Sequence, residues 1–295
     1  MKPDVSKKGD DEMSVGAINN PTAFSVYTNY AASSTNLSKS MTRLATGVKS
    51  VADDGAGVGI SERMRSQSRS TAMARNNVEN GISALQTADS WMQRLNDMLS
   101  RMHELSIEAG DATKTSTDVT NIKAEFDQLK SEIGRITDGN GTAANAAAKF
   151  NSKNLLDGTF NAGVATQVGA DSGQTITVSI AGLSTLGDGG SIAAVNGGAL
   201  NASHAGSMAK AIAGAIDRVA KSRANVGGIL SRLENTRSGL LTYEDNIRTA
   251  ESKIRDVDMA RESSEMTKQQ ILSQVGNAML AQANQMPGSV LQLVG

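Results

Sequence analysis

The sequence predicts a mainly α fold, a long heptad-patterned antiparallel helical bundle or coiled coil with a small β-hairpin region. Three observations predict it. Apolar residues recur every seven positions in four separate segments, the spacing that keeps one stripe of a supercoiled helix against its partner. The three prolines, Pro3, Pro21 and Pro287, all sit near the ends, so proline interrupts no helix between Thr22 and Met286. One segment alone changes to strict alternation, the period of a strand.

The first helical segment carries Val26, Tyr30, Ser33, Leu37, Met41, Leu44 and Val48. Pro21 stands where its helix can begin. The second sets Val78, Leu85, Met92 and Leu99 seven apart and interleaves Ala88, Leu95 and Met102. The third pairs Val119, Phe126 and Ile133 with Ile122, Leu129 and Ile136. The alternating segment then places Ile176, Val178 and Ile180 on one face and Thr175, Thr177 and Ser179 on the other. Ala170-Asp171-Ser172-Gly173 supplies the turn, so a β-hairpin is expected. The Gly/Ala/Ser-rich stretch after it reads as a loop.

The longest array follows. One set runs Ile212, Val219, Val226, Leu233, Leu240, Ile247, Ile254, and three residues after each come Ala215, Ser222, Ile229, Thr236, Tyr243, Ala250, Val257. A helix of that length spans about 70 Å. Any single Met or Leu here is ordinary core; the shared period is what argues for long helices packed side by side.

Charge excludes several functions. With 29 basic and 30 acidic residues the net charge is −1, which gives no electrostatic case for nucleic acid or acidic lipid. Cysteine is absent, so disulfides and thiol chemistry are out. "MKPDVSKKGDDE" leads into no apolar run, so no cleaved signal peptide is expected. No stretch is long and apolar enough to span a membrane.

Both ends are uncharged. No ionisable Asp, Glu, Lys or Arg occurs from Met13 to Ser38 or from Gln269 to Gly295. Ser, Thr, Asn, Gln and Ala stand on the outer faces where solvated helices carry Lys and Glu. Amides and small residues can be buried against other chains without the cost of burying a charge. The two ends are therefore expected to lie side by side, to pack against further copies of the chain, and to be poorly ordered before they do. Pro287-Gly288 is the expected end of the last helix.

Candidate chemistry is sparse. Gly55, Gly57 and Gly59 in "DDGAGVGISERMR" could suggest a phosphate cradle. No buried strand precedes them and no Gly-Lys-Ser/Thr follows, so they read as a connector between helices. The pairs Asp53/Asp54 and Asp256/Asp258 read as helix caps or inter-helix ion pairs. His103 and His204 are far apart in sequence, and no nucleophile–base arrangement is suggested. Neither an enzyme nor a cofactor or metal is expected.

Longer motifs carry a family resemblance. The N-terminal half contains "NLSKSMTRLATG", "ADDGAGVGISERMRSQ", "ALQTADSWMQRLNDMLSRMHELSIEA", "EFDQLKSEIGRI" and "FNSKNLLDG". The C-terminal half contains "AIDRVAKSRANVGGILSRLE", "YEDNIRTAESKIRDVDMA" and "ILSQVGNAMLAQANQMPGSVLQL". In this order, from about Ile18 to Leu293, they resemble the bacterial flagellins in a compact form with little or no outer variable domain. Ser152 replaces the family's Gly after Phe-Asn, Leu230-Ser231 a usual Gln-Asn pair, and Met13 is the more family-typical start.

The resemblance implies a division of the chain. Residues 1–17 are an extension expected to be disordered. Residues 18–50 and 260–295 are the paired terminal helices of an inner filament core. Residues 51–186 and 207–259 form a helical bundle plus hairpin in an outer core layer, and 187–206 are a short variable insertion. It implies a structural subunit of the flagellar filament, serving motility, exported unfolded by the flagellar type III system and extracellular. Expected partners are further copies of the chain, an export chaperone, the filament cap and the hook–filament junction proteins.

The polymer contacts are expected at Val26, Tyr30, Leu37, Leu272, Val275, Met279 and Met286. Arg101, Leu105 and Glu125 match positions through which flagellins contact the vertebrate Toll-like flagellin receptor, with His103 where Arg is usual. Nucleic acid and membrane are not expected partners. The alternative functions are a hook–filament junction protein and a cytosolic coiled-coil scaffold, and seeded polymerisation separates them from a filament subunit.

Overall fold

The computed structural model describes residues 20–137, 147–183, 200 and 203–294. Residues 1–17 and most of 187–206, for which an extension and a loop are expected, lie outside them. Five helices are described: α1 (Pro21–Thr46), α2 (Gly55–Glu108), α3 (Ser116–Thr137), α4 (Ala205–Arg255) and α5 (Met259–Val294). Among the described residues two small antiparallel pairs accompany them: β1 (Lys149–Phe150) with β2 (Lys153–Asn154), and β3 (Val164–Gln167) with β4 (Thr175–Val178). The fold is a helical bundle with a small β region, as the sequence predicts.

The chain divides into two compact units, residues 65–248 and residues 1–64 with 249–295. In the first, the heptad residues of α2, Val78, Leu85, Met92, Leu95, Leu99 and Met102, are all fully buried. Phe126, Ile133 and Ile136 of α3 and Ile212, Val219, Val226 and Leu233 of α4 join them in one core. α2 and α4 run antiparallel, because Gln67 donates to the Tyr243 hydroxyl while Arg223 pairs with Asp89 at 2.8 Å. Leu233 of α4 packs over Gly81 of α2, 3.5 Å from where a Cβ would project, an ordinary packing contact.

The hairpin forms as its alternation requires. Val164 pairs with Val178 and Gln167 with Thr175, which buries Ile176 and Val178 and leaves Thr175 and Thr177 exposed. Gly173 turns the chain at a φ of 87°. The β1–β2 turn was not legible: Asn151 and Ser152 take φ values of 47° and 63°, the left-handed pair of a two-residue hairpin turn.

Five expectations are corrected. The long array does not reach Val257, because α4 ends at Arg255 and Val257 lies in a connector. Tyr243 is exposed and Glu244 takes the buried position, paired with Arg248 at 2.9 Å. The cause is drift: a helix of 3.6 residues per turn slips against a strict seven-residue repeat, and Leu233 to Glu244 is a step of eleven. Val48 lies beyond α1, whose end is set by Gly47 in the left-handed region at a φ of 71°. Gly55, Gly57 and Gly59 are the first turns of α2 and not a connector. Finally, the backbone of α5 continues through Pro287 to Val294.

Candidate assembly surface

In the unit formed by the two ends, α1 packs antiparallel against α5. Asn20 caps α1, its side-chain oxygen accepting from the Ala23 N–H, and its amide nitrogen donates to the Ala283 carbonyl at 2.8 Å. Midway, Gly276 lets the Tyr30 ring come within 3.2 Å of where a Cβ would stand. At the other end Arg43 reaches Glu262 at 3.3 Å.

The least exposed residues of α1 follow a 3-4-3-4 spacing through Ala23, Val26, Tyr30, Ser33, Leu37 and Ser40. Those of α5 do the same through Met266, Gln269, Ser273, Gly276, Leu280 and Ala283. This seam is thin. Only Ser40, Gln269 and Ala283 are buried; the rest are half-buried.

A polar clamp holds the seam where the helices connect onward. Gly47 and Lys49 of one connector exchange backbone hydrogen bonds with Val257 and Arg255, flanking a Val48–Asp256 bridge. Arg43 pairs with Asp53 at 2.6 Å as well as with Glu262, and its Nε is buried without a partner. The Arg43 guanidinium, then the Ser50 N–H and hydroxyl, hold the Asp53 carboxyl well below the usual carboxylate range. Asp54 caps α2 through the Gly57 N–H at 2.8 Å, and Asp258 caps α5 through the N–H groups of Ala260 and Arg261. Asp53, Asp54 and Asp258 are therefore an ion-pair partner and two caps, whereas Asp256 accepts from the Ser252 hydroxyl at 2.6 Å, and Asp54 itself occupies the start of α2. Among the described residues no group of three or more His, Asp or Glu could hold a metal ion.

Besides the apolar residues of the seam, both ends carry large apolar side chains that point away from it. Leu272, Val275, Met279 and Met286 on α5 are 43 to 53% exposed, and Phe24, Tyr27 and Met41 on α1 are 54 to 69% exposed. Of the residues expected in polymer contacts, the four on α5 thus lie exposed outside the seam. Val26, Tyr30 and Leu37 instead lie half-buried along the seam. The stripe available on α1 is Phe24, Tyr27 and Met41, one position further round the helix. The Phe24–Tyr27 spacing was the signal that could have found it.

Arg101 pairs with Glu125 through two hydrogen bonds of 2.7 and 3.1 Å and with Glu104 at 3.1 Å, all on the surface of the other unit. Leu105 is only 1% exposed and belongs to the core.

Fold and surface define a class: helical proteins whose terminal helices pair through a thin seam and expose large apolar side chains outside it. The family models for the bacterial flagellin N-terminal helical region and C-terminal helical region match residues 18–161 and 209–294. The chain is 39% identical over 287 residues to a flagellin of Bacillus subtilis, covering 87% of this chain and 92% of the relative. It is 37% identical over 283 residues to a flagellar filament 33 kDa core protein of Treponema phagedenis, covering 88% of this chain and 93% of the relative. A putative flagellar hook-associated protein of Vibrio parahaemolyticus shares the fold, with a TM-score of 0.56 and 14% identity over 69% of this chain and all of that one. The chain belongs to the bacterial flagellin family.

Proposed function

We propose that this chain is a structural subunit that polymerises through its paired terminal helices into a bacterial flagellar filament serving motility. The observation that carries the reading is the set of large apolar residues left open on α1 and α5 in a protein whose other unit buries its own heptads. A charge-free stripe of this kind is an interface awaiting a partner. The relative named as a flagellar filament core protein supports a filament subunit.

The test is seeded polymerisation of the purified chain. Long helical fibres are the expected result, and a chain that stays monomeric at high concentration with seeds present overturns the reading. The short interval 187–206 leaves little chain for outer domains, so a thin, smooth filament is the expected form in electron microscopy.

Family membership supports the rest of the reading: extracellular placement after unfolded type III export, a chaperone for the C-terminal segment, and contacts to cap and junction proteins. No helix among the described residues is long and apolar enough to cross a membrane, which fits a filament component. No catalytic role is proposed. The vertebrate Toll-like flagellin receptor is a further partner, supported by the exposed Arg101–Glu125 pair, with Leu105 shaping that surface from beneath. In a receptor reporter assay Arg101→Ala lowers signalling; unchanged signalling removes the claim.

A further inference from the structure

The face that α4 turns toward α2 changes after Leu233. Up to that residue its seam is apolar and strictly heptad, with Ile212, Val219, Val226 and Leu233 all buried. Beyond it the buried positions are Glu244 and Ile247, with Leu240 half-buried, while Tyr243 stands outside at 43% exposed. The same stretch carries a second seam, Leu240, Tyr243 and Ile247, which continues the heptads without a carboxylate. The two seams share Leu240 and Ile247 and differ in one residue, three or four places after Leu240. At about 100° per residue, a turn of α4 by about 50° about its own axis exchanges them.

Both helices permit the exchange. Gln67 donates to the Tyr243 hydroxyl, so the ring lies at the edge of the seam, level with the buried Ser68 and Thr71 of α2. Further along α2 such positions hold Val78 and Leu85. Small hydroxyl side chains leave room for an aromatic ring and can equally face a carboxylate. Thr71 donates to the Gln67 carbonyl of its own helix at 2.9 Å and so needs no partner on α4. α4 is soft just before this point. Ser238-Gly239 is a pair at which helices deform, and no neighbouring atom lies within 4 Å of where a Gly239 side chain would begin. Thr242 donates to the Ser238 carbonyl at 3.2 Å, a bond back to the preceding turn that bends a helix.

Opposing costs bring the two seatings close in energy. The present one keeps α4 near its natural pitch but buries the Glu244 carboxylate, whose partner Arg248 is largely in water. The other requires α4 to supercoil further, but it returns Glu244 to water and covers the Tyr243 ring.

We propose that residues 238–247 of α4 form a rotary switch. One seating turns Glu244 inward and shows the Tyr243 ring; the other turns Tyr243 inward and shows the Glu244 carboxylate. The surface at this level thus carries an aromatic ring in one state and an added carboxylate in the other, and a partner that covers either one selects its state. The switch belongs to the single chain and is independent of whether that chain polymerises.

The chain has three tyrosines, so labelling with fluorotyrosine gives a simple fluorine NMR spectrum in which Tyr243→Phe assigns the Tyr243 signal. In the full-length monomer Tyr243 is expected in two exchanging environments, seen as two resonances or as exchange broadening in relaxation dispersion. One of them is shielded from a soluble paramagnetic chelate. Glu244→Leu removes the buried charge and is expected to leave only the exposed environment. Glu244→Lys sets a second cation beside Arg248 and is expected to leave only the shielded one. A single Tyr243 environment, without exchange and unmoved by Glu244→Leu, overturns the switch, and this outcome stands even where Glu244→Lys fails to fold.

Discussion

At the scale of single residues, three side chains sit where the local physics is least favourable or most demanding. Ser152 holds a φ of 63°, where an L side chain crowds its own carbonyl. Ser152→Gly is expected to stabilise the larger unit by about 1 kcal/mol in urea unfolding. Glu244 is only 6% exposed in a helix face otherwise built of Leu233, Leu240 and Ile247, and its one ion-pair partner, Arg248, is largely in water. Replacing a buried carboxylate by an apolar residue of similar size removes its desolvation cost, so Glu244→Leu should raise the melting temperature. Asp53 is the acid-sensitive member of the clamp. A carboxyl held low in the folded state contributes stability above its unfolded pKa, about 3.9, and loses it as pH falls through the folded value. Hydrogen-exchange protection in residues 43–58, taken relative to the intrinsic rate at each pH, should therefore fall as pH drops below about 4, and Asp53→Asn should flatten that dependence.

At the scale of elements, the contrast is between a full seam and a thin one. α2 buries its heptad residues from Val78 to Met102, and α3 and α4 bury Phe126, Ile133, Ile136, Ile212, Val219, Val226 and Leu233 against them, so truncation there is costly. Phe126→Ala is expected to destabilise the larger unit by about 3–5 kcal/mol. α1 and α5 meet through Ser33, Ser40, Gln269, Ser273 and Gly276, which allow close approach and bury little apolar surface. Gly276→Leu should part the two helices at Tyr30 and abolish polymerisation while leaving the unfolding transition of the larger unit in place. The heptads of α2 and α3 and the hairpin alternation were legible residue by residue, because a buried face repeats with the period of its backbone. The slip from Tyr243 to Glu244 was not, because the drift of a straight helix depends on how far its partner forces it to supercoil.

At the scale of the whole molecule, the proposed function assigns stability and assembly to different parts of the chain. The larger unit carries a continuous apolar core. The terminal pair carries a polar clamp at one end, small residues along its seam and large apolar residues outside it. Such a pair stands at the low end of the range of local stabilities. Amide exchange in residues 20–46 and 259–286 should be fast in the monomer and slow sharply in fibres, while that of Val78–Met102 should be slow in both. Equal protection of the ends in the two states would refute the idea that neighbouring copies complete them.

The sequence by itself determined the helical architecture, the hairpin, the lack of charge at both ends and, through its ordered motifs, the family. Each of these is a statement about period, composition or order along the chain. Only the tertiary structure decided which side of each terminal helix is spent inside the chain. Heptad stripes one residue apart, such as Val26–Tyr30 beside Tyr27–Ala31, score alike in sequence. The antiparallel docking fixed by Asn20, Gly276 and Arg43 turns one of them inward and leaves the other open.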